Sequence, residues 1–108
     1  MIFIAVKFTI RPELSGEWLD KVAGFTEATR AEPGNIFFEW SRSVTDPNQF
    51  VLVEAFQDGA AEAHVGADHF KSFLGWAPDV VATTPDIVSV QGVPGEGWSK
   101  MSEISPRT

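Results

Sequence analysis

The sequence predicts one α+β domain whose strands and helical regions follow in the order β-α-β-β-α-β. Three observations indicate this order: an alternating apolar run at the start of the chain, apolar residues at helical spacing up to a Pro-Gly pair, and two further apolar runs joined by "TDPN". With right-handed crossovers, the order gives the ferredoxin-like arrangement, an antiparallel sheet with both helices on one face. A length of 108 residues suits one such domain with a single core.

The alternating run "IFIAVKFTI" predicts the first strand at residues 2–10. Every second residue from Ile2 to Ile10 is apolar, which assigns that face to the core beneath the helices. The opposite face carries Lys7 among mixed residues, so it does not have the composition of a plain solvent-facing surface.

Ser15 is expected to cap the N-terminus of the first helix. The apolar stripe that follows at helical spacing is Trp18, Leu19, Val22, Phe25 and Thr29. The helix is expected to end before Pro33, which cannot continue it, and before Gly34, which supplies a turn.

Residues 35–44 and 49–57 are predicted to form a hairpin, because the Asp, Pro and Asn between them all favour turns. A second helical region is expected to start with Asp58 as its cap, to break at Gly66 and to restart at Asp68. Its expected buried stripe is Phe70, Phe73, Leu74 and Ala77.

The last strand is predicted at residues 86–93, which completes a domain at residues 1–93. Residues 94–108 are rich in Gly, Pro and Ser and are expected to be a loosely ordered tail, which Trp98 attaches to a neighbouring surface. Both helical regions cover the same face of the sheet. Because the other face would expose apolar side chains such as Phe3, we expect a second copy of the chain to cover it, giving a dimeric barrel with a pocket inside.

Composition disfavours several functional classes. The formal net charge of −7 and the eight scattered basic residues argue against binding to nucleic acid. The absence of cysteine excludes disulfides and thiolate catalysis. No apolar run approaches the ~20 residues that cross a bilayer, and no signal peptide is recognisable, so a cytoplasmic protein without membrane attachment is expected.

Neither a metal nor a nucleotide cofactor is predicted from motifs. The glycines of "GVPGEG" are not followed by a helix that could receive a phosphate, and the chain has no Walker motif or nucleophile elbow. His64 and His69 are five residues apart across Gly66, which is not the spacing of a helical zinc pair.

A carboxylate lies in the middle of the predicted third strand, at Glu54. The side chains that we expect under the helices are Val51, Val53 and Ala55. Those that we expect on the uncovered face are Leu52, Glu54 and Phe56. Lys7 would share that face on the neighbouring strand, so it is the expected partner of Glu54, either in a buried ion pair or in a ligand site.

The two histidines are the other candidates for chemistry. His64 follows the third strand closely enough to reach the pocket, where an imidazole suits proton transfer near neutral pH. The alternative is a solvated or helix-capping histidine. His69 has the position of a surface residue at the start of the next helix.

Four segments in this order, "AEPGN", "DPNQF", "VEAF" and "AAEAHVGADHF", resemble the antibiotic biosynthesis monooxygenase (ABM) domain family, including its quinol monooxygenase-like members. The resemblance covers about residues 1–92. It implies a homodimeric α+β barrel that oxidises a small hydroxylated aromatic, of the quinol or anthrone type, with O2 and without metal, flavin or haem.

The resemblance also implies roles for individual residues. His64 would be the acid–base residue, and Asn35 and Glu54 would orient the substrate oxygens. The remaining expected substrate contacts are Lys7, Trp40, Phe56, His69 and Phe73.

Three other activities remain as alternatives. The haem-degrading branch of the superfamily is disfavoured, because Lys7 replaces its strand-one Asn and Leu74 stands at its iron-ligand position. An isomerase of a phosphorylated sugar derivative would need cationic contacts, for which Lys7 and Arg42 are the candidates. A dimeric module that binds a small ligand without turnover is the third.

Overall fold

The computed structural model describes residues 1–107 of the chain. The strands are β1 Ile2–Thr9, β2 Asn35–Arg42, β3 Gln49–Phe56 and β4 Asp86–Val90. The helices are α1 Trp18–Lys21, α2 Ala23–Arg30, α3 Ala60–Val65 and α4 Asp68–Trp76, with 3-10 turns at Pro12–Glu17 and Ala77–Asp79. The predicted α+β, ferredoxin-like order of strands and helical regions is confirmed. Each predicted helical region consists of a pair of short helices.

The sheet is antiparallel throughout and has the strand order β2-β3-β1-β4. On β1, Val6 and Phe8 are buried in the core, as the alternation of that strand predicts. Leu52 of β3 lies directly opposite Val6, and directly opposite residues project from the same face of a sheet. Leu52 therefore lies under the helices.

The prediction for the two faces of β3 is consequently wrong. Glu54 lies opposite Ile4 and shares its face, so Leu52, Glu54 and Phe56 are covered by helices, and the alternate set from Val51 to Ala55 lies on the other face. Both sets contain apolar residues, so alternation within β3 could not decide between them. The pairing with β1 decides.

Lys7 is therefore not the partner of Glu54. Its pairing partners are Val51 and Asp86, and its side chain is exposed on the sheet face that no helix covers. The prediction of a Lys7–Glu54 pair failed together with the face assignment, because the thickness of the sheet separates the two side chains.

The first helical region begins differently from the prediction. Ser15 lies inside the 3-10 turn, where its hydroxyl donates to Asn48 Oδ1 at 2.9 Å, so it is not an N-cap. Trp18 and Val22 are buried as expected, but Leu19 is 52% exposed. Successive helical residues lie about 100° apart, so Leu19 turns away from the face that Trp18 buries.

The second helical region has the predicted break at Gly66 and restart at Asp68. Asp58 does not cap α3; its carboxylate is 3.3 Å from the N-terminal ammonium, and Gly59 at φ 80° begins the helix instead. A β-carbon at Gly34 would overlap Ala60, so a glycine lets α3 pack against the loop that precedes β2. This contact brings His64 of α3 towards that loop.

Aromatic rings fill the core between the sheet and the helices. Trp18 is fully buried at its centre, with ring centroids 5.3 Å from Phe8 and 5.8 Å from Trp40. The indole Nε1 of Trp40 donates to the hydroxyl of Thr26 at 2.9 Å. Trp40 is therefore a structural residue of the core.

The uncovered face of the sheet carries exposed apolar side chains, among them Val88 (61% exposed) and Val90 (47% exposed) of β4. Residues 91–107 contain no helix or strand, and one point of contact is Trp98, which stacks on Phe37 at 5.1 Å and donates to Glu39. Within residues 1–107, the helices are all too short and too polar to traverse a lipid bilayer.

Candidate active site

An apolar cavity of about 290 Å³ lies between the helix-covered face of the sheet and helices α3 and α4. Thirteen of its fifteen lining residues are apolar, and the other two are Glu54 and His64. A cavity that combines a dry wall with a few polar groups is the usual form of a small-molecule site. The pocket thus lies inside one chain, on the opposite side of the sheet from the predicted location.

Glu54 enters the cavity from the middle of β3, and the residue is only 6% exposed. Burial, reinforced by the negative charge of Glu32, raises the pKa of Glu54 from its ordinary 4.5 to about 7. No cation forms an ion pair with Glu54 in the described part of the chain. The carboxyl can therefore be either neutral or charged near neutral pH.

His64 is held by Glu32, which lies in the loop between α2 and β2. The distance from His64 Nδ1 to Glu32 Oε2 is 2.8 Å, and His69 Nε2 is 2.6 Å from the same oxygen. An ionised carboxylate only accepts hydrogen bonds, so both imidazoles donate to it. This assigns the proton of neutral His64 to Nδ1 and leaves a lone pair on Nε2.

His64 lines the cavity, and its Nε2 is the ring nitrogen that Glu32 does not bind. This nitrogen has no hydrogen-bond partner among residues 1–107. It is also not one of the fully buried polar atoms without a partner in that range, which belong to Trp18 and Thr29, so it keeps some accessible surface. The centroid of the His64 ring lies 4.8 Å from that of Phe56 and 5.1 Å from that of Phe70. The structure thus places an oriented imidazole lone pair beside an apolar space.

The predicted site residues fall into two groups. His64, Glu54, Phe56 and Phe73 line the cavity. His69 contacts Glu32 without lining the cavity.

The other predicted contacts are not brought to this cavity. Asn35 donates from Nδ2 to the backbone oxygens of Phe37 (3.1 Å) and Ala55 (3.4 Å), so its amide fixes the start of the β2–β3 pairing. Trp40 belongs to the core, and Lys7 lies on the far face of the sheet.

Glu32 is the functional candidate that the sequence did not reveal. In the sequence it stands only at the end of the first helical region, before Pro33 and Gly34. The sequence feature that corresponds to its contact with the histidines is the acidic residue of "EPG", which lies in a loop close to α3. That closeness becomes apparent only with the Gly34–Ala60 contact.

Glu32, His64 and His69 are also the described group in which three possible metal ligands converge, within 4.8 Å of one another. Two ligands held about 2.1 Å from a tetrahedral zinc ion lie roughly 3.4 Å apart. The two nitrogen–oxygen distances of 2.8 and 2.6 Å are shorter than this. In their present arrangement both histidines are hydrogen-bonded to Glu32 at distances shorter than the spacing of ligands around a zinc ion.

Cationic contacts for a phosphorylated substrate are absent from this cavity, since neither Lys nor Arg lines it among the described residues. Arg42 instead lies with its guanidinium carbon 4.8 Å from the ring centre of Phe50. The cavity therefore gives no support to the isomerase alternative.

The fold and the cavity together define a small ferredoxin-like α+β domain with an apolar cavity between its sheet and its helices. A family model described as Antibiotic biosynthesis monooxygenase matches residues 1–76, and the chain belongs to this family. The resemblance seen in the sequence is thereby confirmed.

Individual relatives agree with this assignment. The chain is 27% identical to "Putative monooxygenase YcnE" of Bacillus subtilis over 84% of this chain and 97% of that protein. It is 23% identical to "Putative monooxygenase GME11364" of Pestalotiopsis microspora over 93% and 86%. A solved structure titled "Putative antibiotic biosynthesis monooxygenase" from Nitrosomonas europaea matches with a TM-score of 0.79 and 25% identity, covering 87% of this chain and all of that one.

Proposed function

We propose that this protein oxidises a hydroxylated aromatic, of the quinol or anthrone type, with O2 and without a bound metal or organic cofactor. The observation that carries the proposal is the apolar cavity whose polar lining residues, within the part of the chain that the structure describes, are Glu54 and His64. Membership of the ABM family supports the reaction class. The substrate type is our inference from the cavity and from the family resemblance.

His64 acts as the base in this proposal. A phenol loses its proton near pH 10, so a base beside the hydroxyl is needed to form the anion at neutral pH. Nε2 of His64 accepts the phenolic proton, and Glu32 stabilises the resulting imidazolium through Nδ1. The carboxylate thus holds the ring in the tautomer that leaves Nε2 as the acceptor.

The electrons come from the substrate. The phenolate is electron-rich and reduces O2; one oxygen atom ends in the product as a carbonyl or hydroxyl, and the other leaves as water. A quinol that becomes a hydroxyquinone gives up four electrons, which match the four that O2 takes up. The balance needs one O2 per substrate and no external reductant.

Glu54 is proposed to donate a hydrogen bond in its neutral form. Its pKa of about 7 keeps a protonated fraction at neutral pH. A carboxylic acid in a dry site can hydrogen-bond to a substrate oxygen or return a proton to the reduced oxygen. Phe56 and Phe73 exclude water from the same space, which strengthens these interactions.

We also propose that two chains associate through the uncovered face of the sheet. Exposed Val88 and Val90 on this face, together with the half-buried Phe3 and Val53 of the neighbouring strands, support the proposal. Sedimentation equilibrium should give twice the chain mass of 11.8 kDa. Val88→Lys should shift the equilibrium towards the monomer, and a monomeric wild type at high concentration would refute the dimer.

The reaction is tested with an oxygen electrode and a panel of reduced quinols and anthrones. We expect uptake above autoxidation that persists after treatment of the protein with a chelator, with one O2 consumed per substrate. Uptake that ends on chelation and returns with one metal would overturn the cofactor-free mechanism. Tight binding of the panel without any uptake would identify a binding module instead.

A further inference from the structure

A second hollow adjoins the cavity on its outer side. It has a volume of about 460 Å³ and is open to solvent. The two spaces share four lining residues, Phe8, Phe73, Leu74 and Pro85, so they lie side by side. A single ligand can therefore extend from one space into the other.

Arg11 is the feature that distinguishes the outer hollow. Its lining is otherwise apolar or uncharged, and Arg11 is the only Lys or Arg on the wall of either space among the described residues. Its Nε reaches Val81 O at 3.5 Å, a long hydrogen bond, and no carboxylate of residues 1–107 forms an ion pair with it. The remaining N–H donors of the guanidinium are therefore free of ion pairs among residues 1–107, although the net charge of the chain is −7.

The inner cavity alone limits the size of the reacting part. A cavity of about 150 Å³ holds one benzene molecule. The 290 Å³ beside His64 and Glu54 therefore suits about two fused rings. The outer hollow is an adjoining space that can take the remaining part of a larger substrate.

We propose that the substrate has two parts: a phenolic ring system in the inner cavity, and an apolar extension in the outer hollow that ends in a carboxylate paired with Arg11. This inference rests on the proposed function. A carboxylate is the group that fits, because a guanidinium presents parallel N–H donors that match its two oxygens. Arg11 is thus assigned as a determinant of specificity, remote from the reacting atoms.

Two matched quinols test the assignment, identical except that the alkyl side chain ends in a carboxylate in one and in a carboxamide in the other. We expect the wild type to have a KM roughly two- to fivefold lower for the acid, the size of one solvent-exposed ion pair, because Arg11 is exposed. Arg11→Gln should remove that preference, and Arg11→Lys should keep part of it. Lys21→Gln, which removes an exposed charge outside both spaces, should keep all of it.

Binding of the two oxidised quinones, followed by quenching of tryptophan fluorescence, gives a readout that does not need turnover. Tighter binding of the acid by the wild type but not by Arg11→Gln supports the subsite. Equal KM values and equal binding of acid and amide by the wild type overturn it, while leaving the oxidation intact. Absence of turnover for both quinols refutes the proposed function, and the binding measurement still decides on Arg11.

Discussion

Replacement of His64 by glutamine should lower the O2-dependent kcat by about 10²- to 10⁴-fold, the usual contribution of a positioned general base. Glutamine keeps much of the volume of the side chain but cannot take up a proton. The phenol would then lack the base that we propose for it, and the electron-rich anion would form rarely. An oxygen electrode, with the substrate at saturation, measures the loss.

His69→Gln is the matched control, because His69 donates to the same oxygen of Glu32 but does not line the cavity. We expect a much smaller loss of kcat for this variant. Thermal unfolding of both proteins separates loss of the base from loss of the fold. A folded His64→Gln protein that retains the wild-type rate would show that His64 is not the base.

Replacement of Glu54 by glutamine should stabilise the protein at pH 8 by about 3 kcal/mol in the free energy of unfolding. The cause is the pKa of Glu54, which burial and the charge of Glu32 raise from 4.5 to about 7. At pH 8 the wild type must keep a charged carboxylate in an apolar cavity. Glutamine has nearly the same shape and never carries that charge.

The sign of the pH dependence follows from proton binding. Between pH 4.5 and 7 the folded state holds a proton on Glu54 that the unfolded state has released, so the stability of the wild type should fall as pH rises through this window. The contribution is flat below pH 4.5 and fully lost above pH 7. Urea titrations at pH 4, 6 and 8 measure it.

Glu27→Gln, a change at an exposed position, is the control for the general effect of removing one negative charge. It should leave the slope of stability against pH close to that of the wild type. A Glu54→Gln protein with the same slope as the wild type, or with lower stability at pH 8, would contradict the raised pKa. The kcat of the Glu54→Gln protein also distinguishes the two roles proposed for Glu54, since the amide can still donate a hydrogen bond but cannot supply a proton.

The sequence was sufficient for the order of the elements and for most of their boundaries. β1 has an apolar residue at every second position, the turn at residues 45–48 has side chains with local turn preferences, and Pro33 follows the end of the first helical region. These signals act over a few residues, so they can be recognised from the sequence alone. The two sets of side chains on β3 could not be told apart this way, because their burial depends on the pairing with β1.

The candidate site was only partly predictable for the same reason. Glu54 was predicted because a carboxylate in the middle of an apolar strand is unusual, and His64 because it follows that strand closely and matches the family's histidine. Glu32 was not, because its importance comes from the packing of α3 against the loop at Gly34. The five-residue spacing of His64 and His69 concealed their common partner, since the break at Gly66 turns both rings towards one carboxylate oxygen.

The central claim is that this cavity oxygenates a phenol with its own acid–base groups and the electrons of the substrate. Its most direct test is a reaction of chelator-treated protein with a quinol under ¹⁸O₂, followed by mass spectrometry of the product. We predict one labelled atom in each product molecule and the other in water, with the yield lost in His64→Gln. A product without the label, or an equal yield of labelled product from that variant, would contradict the account.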